Sequence, residues 1–272
     1  VDGLQTSSVV SRPIIQYTRD GWKKLVDQVA AEYPLTIKIN GQEFATLVCT
    51  PEYIEDLVVG FLMSEGVISQ FDDIEGMVLQ KHVGIIQVTS KKVNPYYQEF
   101  HSKRYIASCC GKGRQGFYFL NDARMAKDLK QAKNTTLTVE QCFSLMDQLH
   151  ATSTTFQCTG GVHNASLCDK QGIIVSRMDI GRHNALDKIY GHCLRNQISL
   201  SGKVMVFSGR ISSEILLKVA KIGCEMVLSK SAPTELALEL AQDLGITTVG
   251  FIRKDSLNIY THPERIENLV DD

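Results

Sequence analysis

From about residue 134 to the end, the chain alternates helix-like and strand-like segments, and this rhythm restricts the fold more than any single motif does. Apolar periodicity predicts helices over 137–150, 184–196, 213–222 and 234–244, and strands over 162–168, 173–178, 203–208, 225–229, 247–252 and 257–261. That order reads as a layered α/β domain with a largely parallel sheet. The preceding residues are punctuated less regularly and read as a smaller α+β domain. An amphipathic helix is expected over 21–31, strands over 35–40 and 43–49 joined through Asn40-Gly41, and a strand over 83–90. Thr50-Pro51-Glu52 reads as a helix start, with Thr50 as the N-cap, and the helix stops at Gly66. The polar stretch from Lys127 to Gln131 sets the boundary near Lys133, dividing the chain into 1–132 and 133–272.

Composition narrows the function classes. Lys and Arg number 29 against 30 Asp and Glu, a formal charge of -1, which gives no global attraction to nucleic acid or to a membrane surface. Apolar runs are short, Val204 to Phe207 being typical, far below the roughly 18 residues of a membrane helix. The opening Val1-Asp2-Gly3-Leu4-Gln5 has neither an initiator Met nor the basic-then-apolar order of a signal peptide. Eight cysteines are scattered through apolar segments rather than crowded into a framework, which fits a reducing compartment, so the cytoplasm is expected. Cys49, Cys142, Cys168, Cys193 and Cys224 read as buried thiols.

Two cysteines differ. Between Phe100 and Asn121 there is no acidic residue, while His101, Lys103, Arg104, Lys112 and Arg114 surround Ser108-Cys109-Cys110-Gly111. Cations stabilise thiolate over thiol, so this loop, about 100–121, is the place to look for nucleophilic chemistry. Its alternative is a solvated basic loop with incidental thiols. Adjacent α-carbons lie about 3.8 Å apart, short of the roughly 4.4 Å a disulfide wants, so Cys109 and Cys110 are not expected to pair. Metal binding is the weaker rival: no second cysteine or histidine set follows at zinc spacing, so no bound metal is expected, although His163 and His183 could converge in space. Gly111 to Gly116 matches the letters of a dinucleotide fingerprint, but Phe117-Tyr118-Phe119 follows where a helix should open.

The second half repeats one device, a strand followed by a basic residue and a helix start: Asp179 to Asn184 with Arg182 and His183, Ser208 to Ser213 with Arg210, and Ser229 to Thr234 with Lys230. Helix starts present free N–H groups and a positive dipole end, so each suits an anion. A fourth basic turn, Phe251-Ile252-Arg253-Lys254-Asp255-Ser256, closes the next strand. Strand ends of a parallel sheet share one rim, where a dinucleotide-like polyanion fits. The competing reading of each turn is ordinary capping by Ser212, Ser231 and Thr234. His163 and His183 read first as structural histidines, Asp179 and Asp187 as groups that orient the neighbouring Arg182 or His183 rather than act chemically, and Asp187-Lys188 as a partly exposed helix face.

Thr159-Gly160-Gly161-Val162-His163, Asp179 to Lys188, Ser208-Gly209-Arg210 through Glu214, Ser229 to Thr234 and Tyr260 to Arg265 together resemble the FdhD family of formate dehydrogenase accessory sulfurtransferases. The resemblance implies a sulfur carrier. A loop cysteine would take persulfide sulfur from a cysteine desulfurase and pass it to the bis-molybdopterin guanine dinucleotide molybdenum cofactor of formate dehydrogenase, with GDP as a mimic of that cofactor. It implies a cytidine-deaminase-like three-layer α/β/α C-terminal domain, although the zinc ligands of the deaminases are missing here. The family loop commonly reads Ser-Ser-Cys-Gly-x-Cys-Gly. Its first cysteine falls on Cys110, with Cys109 the less favoured position, and Gly113 stands where the second cysteine would be. Phe251 to Ser256 matches the family's cofactor-contact stretch. The resemblance also allows a homodimer. A non-catalytic cofactor chaperone is the alternative of a different class, and a nucleotide-hydrolysing enzyme is disfavoured because no P-loop accompanies the basic turns.

Overall fold

The computed structural model describes residues 7–94, 104–106, 126–127, 129–130, 135–267 and 269. The chain opens with β1 (Val9–Thr18) and β2 (Gly21–Ala30), a hairpin joined at Arg19-Asp20 with Thr18 opposite Gly21. Residues 21–31 are therefore a strand rather than the expected helix. The 3.6-residue spacing of Trp22, Leu25, Val26 and Val29 is overridden by a continuous ladder to β1, which Asp20-Gly21, with Gly21 at φ +127°, sets in register.

β3 (Tyr33–Ile39) and β4 (Gln42–Cys49) form the expected hairpin, and Asn40 and Gly41 both take positive φ at its turn. With β5 (Ile74–Gln80), β6 (Ile85–Ser90) and β7 (Arg104–Ile106) they make a five-stranded sheet in the order β5-β6-β3-β4-β7. Helix α1 (Ile54–Ser64) lays Leu57, Val58, Phe61 and Leu62 on Leu35, Ile37, Leu47 and Ile86. Thr50 is not its cap: the helix opens at Ile54 behind Tyr53, which sits in the left-handed region at φ 54°.

The rest follows the expected alternation of the main elements, with the strands 137–138 and 266–267 and the short helix 154–159 in addition. β8 (Leu137–Thr138), α2 (Val139–Ala151) and α3 (Thr154–Thr159) lead into β9 (His163–Asp169), β10 (Gly172–Asp179) and α4 (Arg182–Arg195). Then come β11 (Val204–Phe207), α5 (Ser213–Ile222), β12 (Met226–Ser229), α6 (Glu235–Leu244), β13 (Thr247–Gly250), β14 (Asn258–Thr261) and β15 (Ile266–Glu267). A six-stranded sheet runs β10-β9-β11-β12-β13-β14. Only β11–β12 and β12–β13 are parallel, so the sheet is mixed rather than largely parallel. The β9–β10 and β13–β14 connections are too short for a crossover, and short connections permit only antiparallel neighbours.

Alternation along β11 serves both faces. Met205 and Phe207 pack with α4, α5 and α6, while Val204 and Val206 pack with α2. Leu129, N-terminal to the expected boundary, belongs to the first of these cores, and its N–H donates to the Leu244 carbonyl at 2.8 Å. Lys133 itself lies outside the described residues. Among the described residues no helix is long and apolar enough to cross a membrane.

Helix α1 crosses α4 at backbone contact. A Cβ on Gly60 would stand 1.9 Å from the Asp187 carbonyl oxygen, and one on Gly191 would stand 1.8 Å from that of Asp56. Asp187 and Lys188, expected on a partly exposed face, are buried here because α1 covers them. Asp187 takes a 2.6 Å ion pair from Lys218 and a 2.7 Å hydrogen bond from Ser64. Lys188 pairs with Asp179 at 2.7 Å and donates to Thr50 Oγ1 at 2.7 Å. Arg177 and Arg195 both reach Asp56, Arg177 lying 3.9 Å over the Tyr53 ring.

Candidate functional site

Strands β10, β11, β12 and β13 end at Asp179, Phe207, Ser229 and Gly250 on one edge of the sheet. Because β9 runs the other way, His163 at its start joins them, opposite Asp179. All four basic turns therefore share one rim, although only β12 runs parallel to both of its neighbours and β10 is antiparallel to its own.

The turns are stitched together. Ile211 N–H donates to the Ala232 carbonyl at 3.1 Å and Thr234 N–H to the Ile211 carbonyl at 3.0 Å. Ser229 Oγ donates to the Gly209 carbonyl at 2.7 Å, Ser231 Oγ to the Ser208 carbonyl at 3.0 Å, and Asn164 N–H to Ser208 Oγ at 3.0 Å. Phe251 N–H reaches the Ser231 carbonyl at 3.3 Å, and the Arg253 guanidinium donates to the Lys230 carbonyl. At Gly209 a Cβ would stand 2.8 Å from the Phe207 ring, so only glycine lets this turn run so close.

The capping reading fails at these turns. Gly181, Ser212 and Thr234 hold the N-cap positions of α4, α5 and α6, and none gives a side-chain cap. Ser231 is spent on a neighbouring turn. Away from the rim, α2 has a full capping box in which Thr138 accepts from the Gln141 N–H at 3.1 Å. Three buried polar atoms at the rim, Arg182 Nε, Ser212 Oγ and His183 Nε2, have no hydrogen-bond partner, although His183 Nε2 lies near the Glu214 carboxylate. A buried donor without a partner costs about 1–3 kcal/mol, which an oxygen-rich anion arriving there would offset.

Arg182 and His183 are half-buried at the start of α4, with His183 Nε2 3.2 Å from Glu214 Oε2. Burial, reinforced by the Arg182 and His183 charges and opposed by Asp179, holds the His163 pKa below its ordinary value. The rim therefore carries a neutral imidazole beside an arginine. Arg210, Lys230, Arg253, Lys254, Asp255 and Ser256 are exposed. Phe251 is exposed at φ 51°, with Arg253 5.9 Å from its ring. Ile252 is the exception, its side chain packed in the core and its N–H given to the Ser229 carbonyl at 3.1 Å.

Beneath the rim lies a buried cluster of which sequence reasoning anticipated only Asp179, as a group orienting Arg182 or His183, and missed Thr50 and Lys188. Asp179 accepts from the Thr50 N–H at 2.9 Å, the Gly181 N–H at 2.8 Å and Asn184 Nδ2 at 2.9 Å, in addition to Lys188. It thus fixes the turn that presents Arg182 and His183, and ties it to the end of β4. Thr50-Pro51 gives a cap signal, and nothing local in it points 129 residues onward.

Cys109 and Cys110, with Lys112 and Arg114, lie outside the described residues. The five cysteines read as buried thiols are buried. Burial pushes the Cys142 and Cys168 thiols up to about 12 and that of Cys193 to about 11, and raises Cys49 and Cys224 further. None of these is a thiolate near neutral pH. Cys158 is exposed on α3. Among the described residues no three His, Cys, Asp or Glu side chains converge as a metal-ligand set.

The FdhD/NarQ family model matches residues 30–267. The chain belongs to the FdhD/NarQ family. It is 54% identical over 257 residues to the sulfur carrier protein FdhD of Halalkalibacterium halodurans, an alignment covering 94% of each chain. It is 52% identical to that of Shouchella clausii over 93% of this chain and 97% of the relative, and 52% identical to that of Bacillus subtilis over 94% and 96%. The same fold occurs in the crystal structure of a candidate formate dehydrogenase accessory protein from Desulfotalea psychrophila, with TM-score 0.77, 24% identity, and 95% of this chain and 99% of the other covered.

Proposed function

We propose that this chain is a sulfur carrier protein serving formate dehydrogenase in the cytoplasm. The Cys110 thiolate attacks the terminal sulfur of a cysteine desulfurase persulfide, displacing the desulfurase thiolate and leaving a persulfide on Cys110. That sulfur passes to the bis-molybdopterin guanine dinucleotide molybdenum cofactor, the substrate of the transfer. The rim of the six-stranded sheet holds the cofactor's phosphates through Arg182, Arg210, Lys230 and Arg253. In the same reading the mixed sheet with helices on both faces is a cytidine-deaminase-like domain. The observation that carries the proposal is 52–54% identity, over more than nine-tenths of the chain, to proteins named as sulfur carriers.

Two features of the structure support this division of labour. The rim gathers four basic turns, three of them at uncapped helix starts, and five of the thiols are buried and held protonated; of the remaining three cysteines, only Cys109 and Cys110 lie in the acid-free basic stretch, Cys158 being exposed on α3. Incubation with a cysteine desulfurase and radiolabelled cysteine tests the transfer. Label should appear on the wild type and on Cys109→Ala, be released by reductant and be absent from Cys110→Ala. Label that persists in Cys110→Ala and disappears in Cys109→Ala moves the role by one residue. No label on any form, with GDP still bound, favours the non-catalytic chaperone.

A further inference from the structure

Each basic turn of the rim brings a carboxylate with it, and the carboxylates are placed differently. Asp179 is fully buried and spent on Lys188, Thr50, Gly181 and Asn184. Glu235, in the first turn of α6, and Asp255, beside Lys254, are exposed. Glu214, in the first turn of α5, is half-buried, with its Oε2 3.2 Å from His183 Nε2. An acid in a first turn favours the helix dipole, and Glu235 does so from open water. What sets Glu214 apart is its company. The three buried rim atoms without partners are His183 Nε2, which faces it, Arg182 Nε, one residue back on α4, and Ser212 Oγ, two residues back at the N-cap of α5. A phosphate would satisfy donors there but meet the carboxylate at close range, so a spot built for phosphate alone would not carry one. Orphaned donors beside a carboxylate suit a ligand edge that accepts at one atom and donates at the next two.

We propose that Glu214 reads the aminopyrimidinone edge that guanine and pterins share, and so sets the rim's preference for ligands of that class. The inference rests on the rim being the cofactor site. On such an edge a carbonyl oxygen, a ring N–H and an exocyclic amino group lie in a row. The two donors match the two oxygens of the Glu214 carboxylate side by side, and the carbonyl oxygen accepts from the Ser212 hydroxyl. Adenine offers no such pair of adjacent donors, and hypoxanthine keeps the carbonyl and the ring N–H but lacks the amino group. Contacts to phosphate supply affinity and position without telling one base from another. A site that bonds a polar edge, by contrast, rejects the analogue missing one group, because its own polar atoms are then left unpaired.

Titration of the full chain with GDP and with IDP isolates this contact, since the two share every phosphate and differ only in the amino group. Wild type should prefer GDP by roughly tenfold to hundredfold, and Glu214→Gln should bring the two within about threefold of each other. The ratio cancels any change in phosphate affinity or in fold stability, which moves both ligands together. Pterin and lumazine, which carries a carbonyl in place of the amino group, form the second arm, read by the anisotropy of their own fluorescence. Collapse of the GDP preference assigns the edge to guanine, and collapse of the pterin preference alone assigns it to the pterin; either supports the proposal. Both preferences absent from the wild type, or both unchanged by Glu214→Gln, while GDP still binds, overturn it and leave the rim reading standing. No binding of GDP or pterin to the wild type overturns both.

Discussion

Helix α4 is built differently along its length. Its first turn, with Arg182 and His183, stands at the rim without a side-chain cap and with Arg182 Nε unpartnered. One and two turns further on, Asp187, Lys188 and Gly191 are pressed against α1 and α5 with both charges paired. The contrast separates a surface left to meet a ligand from one that fixes where that surface stands. The locked part should therefore carry stability and the open part binding.

The largest expected effect lies at the helix crossing. Gly60→Ala or Gly191→Ala places a methyl group inside van der Waals contact with a main-chain carbonyl, so α1 and α4 must separate. We expect about 3–5 kcal/mol of destabilisation and a melting temperature lower by roughly 10 °C, measured by calorimetry. A melting temperature within the error of wild type would mean that the helices separate at no cost.

Lys188→Met should follow closely. It leaves Asp179 buried without its cation, a loss of about 3–5 kcal/mol by the usual cost of breaking a buried pair. Because Asp179 also holds the Gly181 N–H, GDP affinity should fall alongside stability. Affinity unchanged despite a lowered melting temperature would uncouple the buried cluster from the rim.

Arg210→Ala should do the opposite. Arg210 is exposed, so stability should stay within about 0.5 kcal/mol, while GDP binding weakens roughly tenfold to hundredfold through loss of a charge-assisted phosphate contact. Titration calorimetry on folded protein reads both. If Arg210→Ala leaves GDP affinity intact while Cys110→Ala abolishes it, the nucleotide sits at the cysteine loop instead.

The smallest effect concerns pH. The folded pKa of His163 lies below the unfolded value of about 6.5, so the unfolded chain binds the extra proton first. Its contribution is complete above that unfolded value and is lost as pH falls from there toward the depressed folded pKa. His163→Gln should flatten the acid side of the stability profile across that window. An unchanged profile in urea titrations at successive pH values would remove His163 as a source of the slope. A bound phosphate would reverse part of the depression, so GDP should shift the midpoint of the His163 NMR titration upward.

The rim was legible before the fold. Strand, basic residue and helix start recur at Arg182, Arg210 and Lys230 because the chain must turn at the end of each strand, and local spacing records each turn. The ladder that made residues 21–30 a strand was not legible, since Leu25, Val26 and Val29 satisfy a helical period equally well until a partner strand is in place. Nor were Thr50, Asp187 and Lys188 legible as buried groups. A charged side chain is read as exposed by default, and only the approach of α1 removes water from them.

The sequence by itself determined the order of the main helices and strands after residue 134, though not α3 or the β8–β15 pair, together with the turn at Asn40-Gly41 and the family, because periodicity, turn chemistry and segment identity are local properties of the chain. Tertiary structure alone decided which neighbours are antiparallel, which helix starts remain uncapped, and that Asp179, Lys188 and Thr50 form one buried cluster. The physical reason is distance along the chain. A hydrogen bond from Thr50 to Asp179 spans 129 residues, and its formation depends on α1 and α4 meeting at two glycines whose missing side chains leave no periodic trace.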